Sequence, residues 1–158
     1  QCNEWDHHWQ LAWDLLEKEE HKGVQQLITD LNKLYKAHPF WHQYDLRGDG
    51  FSWIDPDDCD NSVFSFIRKT GETKETLLFI SNFTPVERSQ YKLGVPHKGC
   101  WKEVLNSDGA IYGGKNRGNC GTVETLEPGW HGQPYHLELY LPPLSSLIFK
   151  YENAKDTL

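Results

Sequence analysis

The sequence predicts a mainly β protein, an antiparallel β-sandwich with one amphipathic helix ahead of it. Three observations carry that prediction. Leu77, Leu78, Phe79 and Ile80 form a continuous apolar run, stopped by Ser81-Asn82 and then Thr84-Pro85. A strand carries such a run when both of its faces are covered, which makes this the expected central strand. From Trp41 onward, apolar residues alternate with polar ones in short segments separated by Gly, Pro and Asn turns, as in a sandwich. Between residues 21 and 38, by contrast, Val24, Leu27, Ile28, Leu31, Leu34 and Tyr35 recur at helical spacing.

In chain order, Trp5, Trp9 and Trp13 recur every fourth residue, which in a helix would place them on one face. They are read either as a packing stripe or as stacking surfaces for sugar rings. The helix that follows ends before Pro39, because the residue preceding a proline avoids helical geometry. Its apolar face needs a cover, either the sheet or a preceding domain. Phe51 to Ile54 is a strand after the Gly48-Asp49-Gly50 turn, and Ser62 to Arg68 alternates and turns through Thr70 to Thr73 into the central strand. Pro85 marks the end of that strand, since proline cannot donate to a ladder. Tyr91 to Val95 and Gly99 to Leu105 are further strands. Gly-rich Tyr112 to Gly121 leads to Val123-Glu124. Tyr135 to Leu141 and Ser145 to Tyr151 are expected to pair as a hairpin across Pro142-Pro143, and the polar tail from Glu152 to Leu158 is expected to fray.

Composition narrows the function. A formal net charge of −7 argues against a nucleic-acid partner, which would require a basic face. No apolar run reaches the roughly 20 residues of a membrane span, and no signal-peptide pattern opens the chain. Cys2, Cys59, Cys100 and Cys120 are widely and irregularly spaced, so they are read as free thiols in a reducing cytoplasm rather than as zinc ligands or a disulfide scaffold. The chain begins at Gln1 and contains no methionine, so it is read as a piece of a longer protein.

Most chemical motifs fail on inspection. Asp55 to Asn61 is acidic enough for calcium, but the sixth and twelfth positions of an EF-hand loop, Gly and Glu, are here Asp60 and Phe66. A turn between strands is the better reading. Gly113 to Gly121 lacks the P-loop pattern and is read as an irregular β connection. Asn82-Phe83-Thr84 is a formal glycosylation sequon, and Asn82 is read as a turn residue whose side chain bonds nearby backbone. His7-His8 beside Asp6 is not read as a metal site, because adjacent side chains on a helix do not converge on one ion. His131 lacks a Ser or Cys partner and is given a structural role. No cofactor motif and no catalytic pair is present. Trp5, Trp13 and Trp130 are the candidate substrate-binding residues.

Several stretches, taken together, resemble one family. They are Glu4-Trp5, LAWDLL (Leu11 to Leu16), GVQQLITDLNKLY (Gly23 to Tyr35), GFSWID (Gly50 to Asp55), NSVFSFIRK (Asn61 to Lys69), SNFTPV (Ser81 to Val86), WKEVLNSD (Trp101 to Asp108), YGGKNRGN (Tyr112 to Asn119), WHGQPY (Trp130 to Tyr135) and LPPLSSLIF (Leu141 to Phe149). In this order they resemble the C-terminal end of bacterial 1,4-α-glucan branching enzymes of the α-amylase superfamily. The resemblance implies that residues 1–40 end a catalytic (β/α)8 barrel, with its terminal helix at about 22–37, and that residues 41–151 form the C-terminal all-β domain. The helix's apolar face would then cover barrel strands. It also implies the parent chemistry: an α-1,4 bond is cut, the chain is held on an aspartate, and it is transferred to a 6-hydroxyl as an α-1,6 branch. The implied carboxylates belong to barrel loops, so no catalytic residue is assigned here and the isolated chain is expected to be inactive. The implied partners are α-glucan and the catalytic barrel. A stand-alone carbohydrate-binding β-sandwich, using tryptophans such as Trp101 or Trp130 as stacking surfaces, is the competing reading.

Overall fold

The computed structural model describes residues 6–38, 40–44, 46–70 and 75–152, with backbone alone at Phe40 and Trp41. After a turn at residues 7–9 and a 3-10 segment, Trp13–Glu17, come helix α1 (Glu19–Ala37) and the short α2 (Phe40–Gln43). Eight strands follow: β1 (Phe51–Asp55), β2 (Val63–Lys69), β3 (Thr76–Asn82), β4 (Arg88–Val95), β5 (Cys100–Asn106), β6 (Thr122–Glu124), β7 (Tyr135–Leu141) and β8 (Ser145–Glu152). Trp5, Cys2, Pro39, the turn residues 71–74 and tail residues 153–158 lie outside the described residues.

The strands form a six-stranded antiparallel sheet in the order β1-β2-β3-β8-β5-β6, packed on a two-stranded sheet of β4 and β7. Strand β3 lies inside the large sheet, as its apolar run predicts. Leu78 and Ile80 point into the main core, with Val63, Leu93, Trp101, Leu137, Leu139 and Phe149 among its members. On the opposite face Leu77, Leu105 and Ile148 form a second cluster, covered by Leu27, Leu31 and Leu34 of α1. Half of the helix's apolar face therefore docks on the sheet. The other half, Val24, Ile28 and Tyr35, remains exposed.

Gly23 fixes how α1 lies. It is buried, and a Cβ there would collide with the carbonyl of Tyr112. The Tyr112 hydroxyl also donates to Asp30 Oδ2 at 3.0 Å, tying the helix to the loop after β5.

The large sheet's outer face carries an aromatic ladder beside the helix. Phe66 stacks on Phe79 with centroids 4.7 Å apart, Trp53 and Phe51 meet Phe66, and Phe64 meets Phe83 at 5.3 Å. Alternation decides this: Val63, Ser65 and Ile67 face inward, so Phe64 and Phe66 face outward. Trp53, Phe64 and Phe83 are 49%, 51% and 58% exposed.

Three expectations need correction. Trp9 and Trp13 do not share one face of a helix, and Trp5 lies outside the described residues. Within the described part, residues 6–12 are turn and irregular chain, and Trp9 and Trp13 are exposed. The last two strands do not pair with each other: β7 pairs with β4 and β8 with β3 and β5. Between them Pro142-Pro143, which lack N–H donors, carry the chain from one sheet to the other. There Pro142's carbonyl accepts from Asn82 Nδ2 at 3.0 Å and from Ser145 Oγ at 2.7 Å. Finally, Trp101 is fully buried and unavailable for stacking.

Candidate functional site

Among the described residues, a cleft of about 600 Å³ opens between the β1–β2 loop, strand β4 and the turn before β7. Asp55, Asp58, Arg88, Tyr91, Trp130 and His131 line it. The acidic loop enters here because its carboxylates face inward as well as to solvent. Asp58 accepts from the backbone N–H and side-chain amide of Asn61, and from the Tyr91 hydroxyl at 2.6 Å. Burial and this carboxylate push the Tyr91 phenol well above its ordinary value, so it stays a donor. Asp58 was expected in a solvated turn. Tyr91, from a strand distant in sequence, half-buries it.

The tryptophan at the rim is held by its backbone. A Cβ at Gly94 would collide with the Trp130 carbonyl, so only glycine lets this turn rest on β4. The turn closes with Gln133 N donating to Trp130 O at 2.8 Å. His131 follows with a φ of 47°. Its Nδ1 accepts from Gly94 N at 3.4 Å, which leaves Nε2 as the protonated nitrogen, 3.4 Å from Asp55 Oδ2. Trp130 is thereby 47% exposed on a braced turn, with Lys92 Nζ 5.8 Å from its ring centroid.

Burial holds the His131 imidazole below its ordinary 6.5, against the upward pull of Asp55 and Asp58. The unfolded chain takes up this proton near 6.5 and the folded cleft only at lower pH. In that window the unfolded state binds more protons, so stability falls as pH falls through it. His38, partly buried beside Lys150, shifts in the same direction. Thermal melts across this range should show the loss, and His131→Asn should flatten part of it. An unchanged pH profile in the variant would refute the assignment.

Trp5 is outside the described residues, and Trp13 belongs to the 3-10 segment ahead of α1 and does not line the cleft. The structure thus brings Trp130 together with Asp55, Asp58, Arg88, Tyr91 and His131, none of which was foreseen as a site residue. The signal available in sequence was the aromatic-histidine pair in a glycine-flanked turn, Gly129 to Gly132. The Gly-rich loop donates to carboxylates of β5 and of the turn that follows it. Asp108 accepts from the N–H groups of Lys115 and Arg117, and Glu103 from the N–H and amide of Asn119. Those donors are not free for phosphate. At the N-terminus, Asp6, His7 and His8 lie in a turn, so the helix argument against their convergence does not hold. Their ligand atoms come within 4.8 Å of one another, and all three residues are exposed. No described helix is long and apolar enough to cross a membrane.

The fold and the cleft define a two-sheet antiparallel β domain with a helix on its outer face and a polar cleft at one edge. The sequence profile described as "Alpha amylase, C-terminal all-beta domain" matches residues 53–152, more than half of the chain. The chain belongs to this family. It is also similar to curated proteins named 1,4-alpha-glucan branching enzyme GlgB. With that of Prochlorococcus marinus (strain MIT 9515) it is 50% identical over 153 residues, covering 97% of this chain and 20% of the relative. With that of Cupriavidus necator it is 45% identical, covering 96% and 20%. With that of Aquifex aeolicus it is 44% identical, covering 96% and 24%. The chain spans about a fifth to a quarter of the length of these relatives.

Proposed function

We propose that this chain is the C-terminal portion of a 1,4-α-glucan branching enzyme, which forms α-1,6 branches in an α-glucan by chain transfer. The reading puts the enzyme in the cytoplasm, in keeping with the free thiols of Cys59, Cys100 and Cys120. In it, residues 1–40 end the catalytic barrel and residues 41–151 form the β domain that supports it. The chain itself contributes no catalytic carboxylate.

The observation that carries this reading, beside the relatives, is the set of exposed apolar side chains on α1 and on the outer face of the large sheet. Val24 and Ile28 of α1 and Trp53, Phe64 and Phe83 of the aromatic ladder are all exposed there. Exposed apolar patches of this kind mark interaction surfaces. The partner that fits is the barrel, because the helix docked on this face is the one assigned to the barrel's end.

The test is a chimera in which this chain replaces the matching part of the Prochlorococcus marinus relative. The chimera should introduce α-1,6 branches into amylose, scored by debranching and chain-length analysis, and this chain alone should introduce none. Trp53→Asp with Phe64→Asp should lower the chimera's activity by about tenfold or more, since carboxylates must then be buried in the interface. Both side chains are half exposed in this chain, so its own melting temperature should stay within a few degrees. Branching by the chain alone, or a double variant as active as its parent, would overturn the reading.

A further inference from the structure

We propose that the cleft between the β1–β2 loop, strand β4 and the Trp130 turn binds a neutral α-1,4-linked glucan chain, with Trp130 as the stacking surface. The choice of α-glucan rests on reading this chain as part of a branching enzyme. The site itself rests on the following geometry.

The indole is exposed but not loose. Gly94 admits the Trp130 carbonyl against β4, and the Gln133-to-Trp130 hydrogen bond and the Gly94-to-His131 hydrogen bond hold the turn from both sides. A rigid half-exposed aromatic ring offers a flat apolar face at low entropic cost. The C–H faces of a pyranose ring are of that kind.

The wall beside the ring is polar and already ordered. Tyr91 is locked on Asp58, and His131 lies against Asp55. Among the described residues Asp55 Oδ1 accepts one hydrogen bond, from Asp57 N at 3.1 Å, so its oxygens retain acceptor capacity for hydroxyls. Arg88 lines the same cleft. Its Nη2 donates to Asn61 O at 3.3 Å, while its enclosed Nε has no hydrogen-bond partner.

Charge selects the ligand class. Asp55, Asp58 and Glu87 stand against Arg88 and Lys92 in the lining, so neither an anion nor a cation finds a strong field. Vicinal hydroxyls, which donate and accept together, suit a lining that sets carboxylates beside basic side chains. A volume of about 600 Å³ falls within the usual range for small-molecule sites. Lys92 lies over the indole but also pairs with Glu138 at 3.7 Å, so its ammonium has a carboxylate to turn to when a sugar ring takes its place. The Trp53 surface makes the contrast. Its ring neighbours are the aromatic side chains of Phe51, Phe64 and Phe66.

The test titrates the 158-residue chain with maltoheptaose and, in parallel, cellohexaose, followed by calorimetry and by NMR of the indole N–H groups. Maltoheptaose should bind and shift the Trp130 indole. Trp130→Leu should weaken binding by about tenfold or more, Trp130→Phe should retain most of it, and Asp55→Asn should cost several-fold. Trp53→Ala should leave binding unchanged. The Leu–Phe pair separates loss of stacking from loss of fold. No binding, binding that survives Trp130→Leu, or equal binding of cellohexaose would each overturn the proposal. The chimera tests the enzyme reading separately: an active chimera whose C-terminal portion binds no glucan sinks this site alone. An inactive chimera beside a chain that binds maltoheptaose through Trp130 sinks the branching reading and leaves the cleft.

Discussion

Asn82→Asp should be among the most damaging single substitutions in this chain, at about 3–5 kcal/mol, the range for leaving a charge buried without compensation. Asn82 is 2% exposed at the end of β3. Its Nδ2 donates to Val86 O at 2.8 Å and to Pro142 O at 3.0 Å. Its Oδ1 accepts from the Thr84 N–H at 3.0 Å and the Thr84 hydroxyl at 2.8 Å. One amide thus holds the end of the central strand, the following turn and the crossover into β8. Aspartate keeps the shape and the acceptor, but sets a carboxylate oxygen against two carbonyls. The variant's folded-state pKa must rise above the ordinary carboxylate value of about 3.9. Its stability should therefore recover as pH falls towards that value and worsen as pH rises. Urea unfolding at several pH values reads this directly. A variant as stable as wild type at neutral pH would show that the amide's donors are not needed.

Trp101→Ala should cost about 3–5 kcal/mol, the usual range for removing a large buried aromatic side chain. The ring is 0% exposed on β5, lies 5.5 Å from Tyr151, and donates from Nε1 to His97 O at 3.3 Å. For a chain of this size each kcal/mol lowers the melting temperature by roughly 2–4 °C, so a drop of about 6–20 °C is expected in a calorimetric melt. A shift of only a degree or two would contradict the packing described for the main core. The result would also separate two tryptophans that look alike in the sequence. Loss at Trp101 is loss of fold, whereas loss at Trp130 is loss of a surface.

Much of the architecture was legible because periodicity is a local property. The alternation of Val63, Ser65 and Ile67 with Phe64 and Phe66, and the apolar run of β3, follow from which faces must be buried. So does the helix, whose 3.6-residue period is explicit from Val24 to Tyr35. Family membership was legible too, from ordered short stretches rather than from any chemistry. The cleft was not. It joins residues near 55, 90 and 130, and no local pattern states that Tyr91 will meet Asp58 or that a glycine on β4 will receive the Trp130 carbonyl. Trp130 could be named from its turn, but its polar partners could not.

The pairing of the last two strands shows the same division. Their sequences predict strands, and adjacency suggests a hairpin, but pairing depends on which edges are free when the chain arrives. Strand β8 fills the gap between β3 and β5, and β7 joins β4. By itself, then, the sequence determined which segments are strands and helix, which faces they bury, and the family to which the chain belongs. Tertiary structure alone decided the sheet order, which half of α1 is covered, and how Trp130 comes to stand beside Asp55 and Arg88. The physical reason is range: burial patterns are written along the chain, whereas hydrogen-bond partners and cavities arise only where distant segments close on one another.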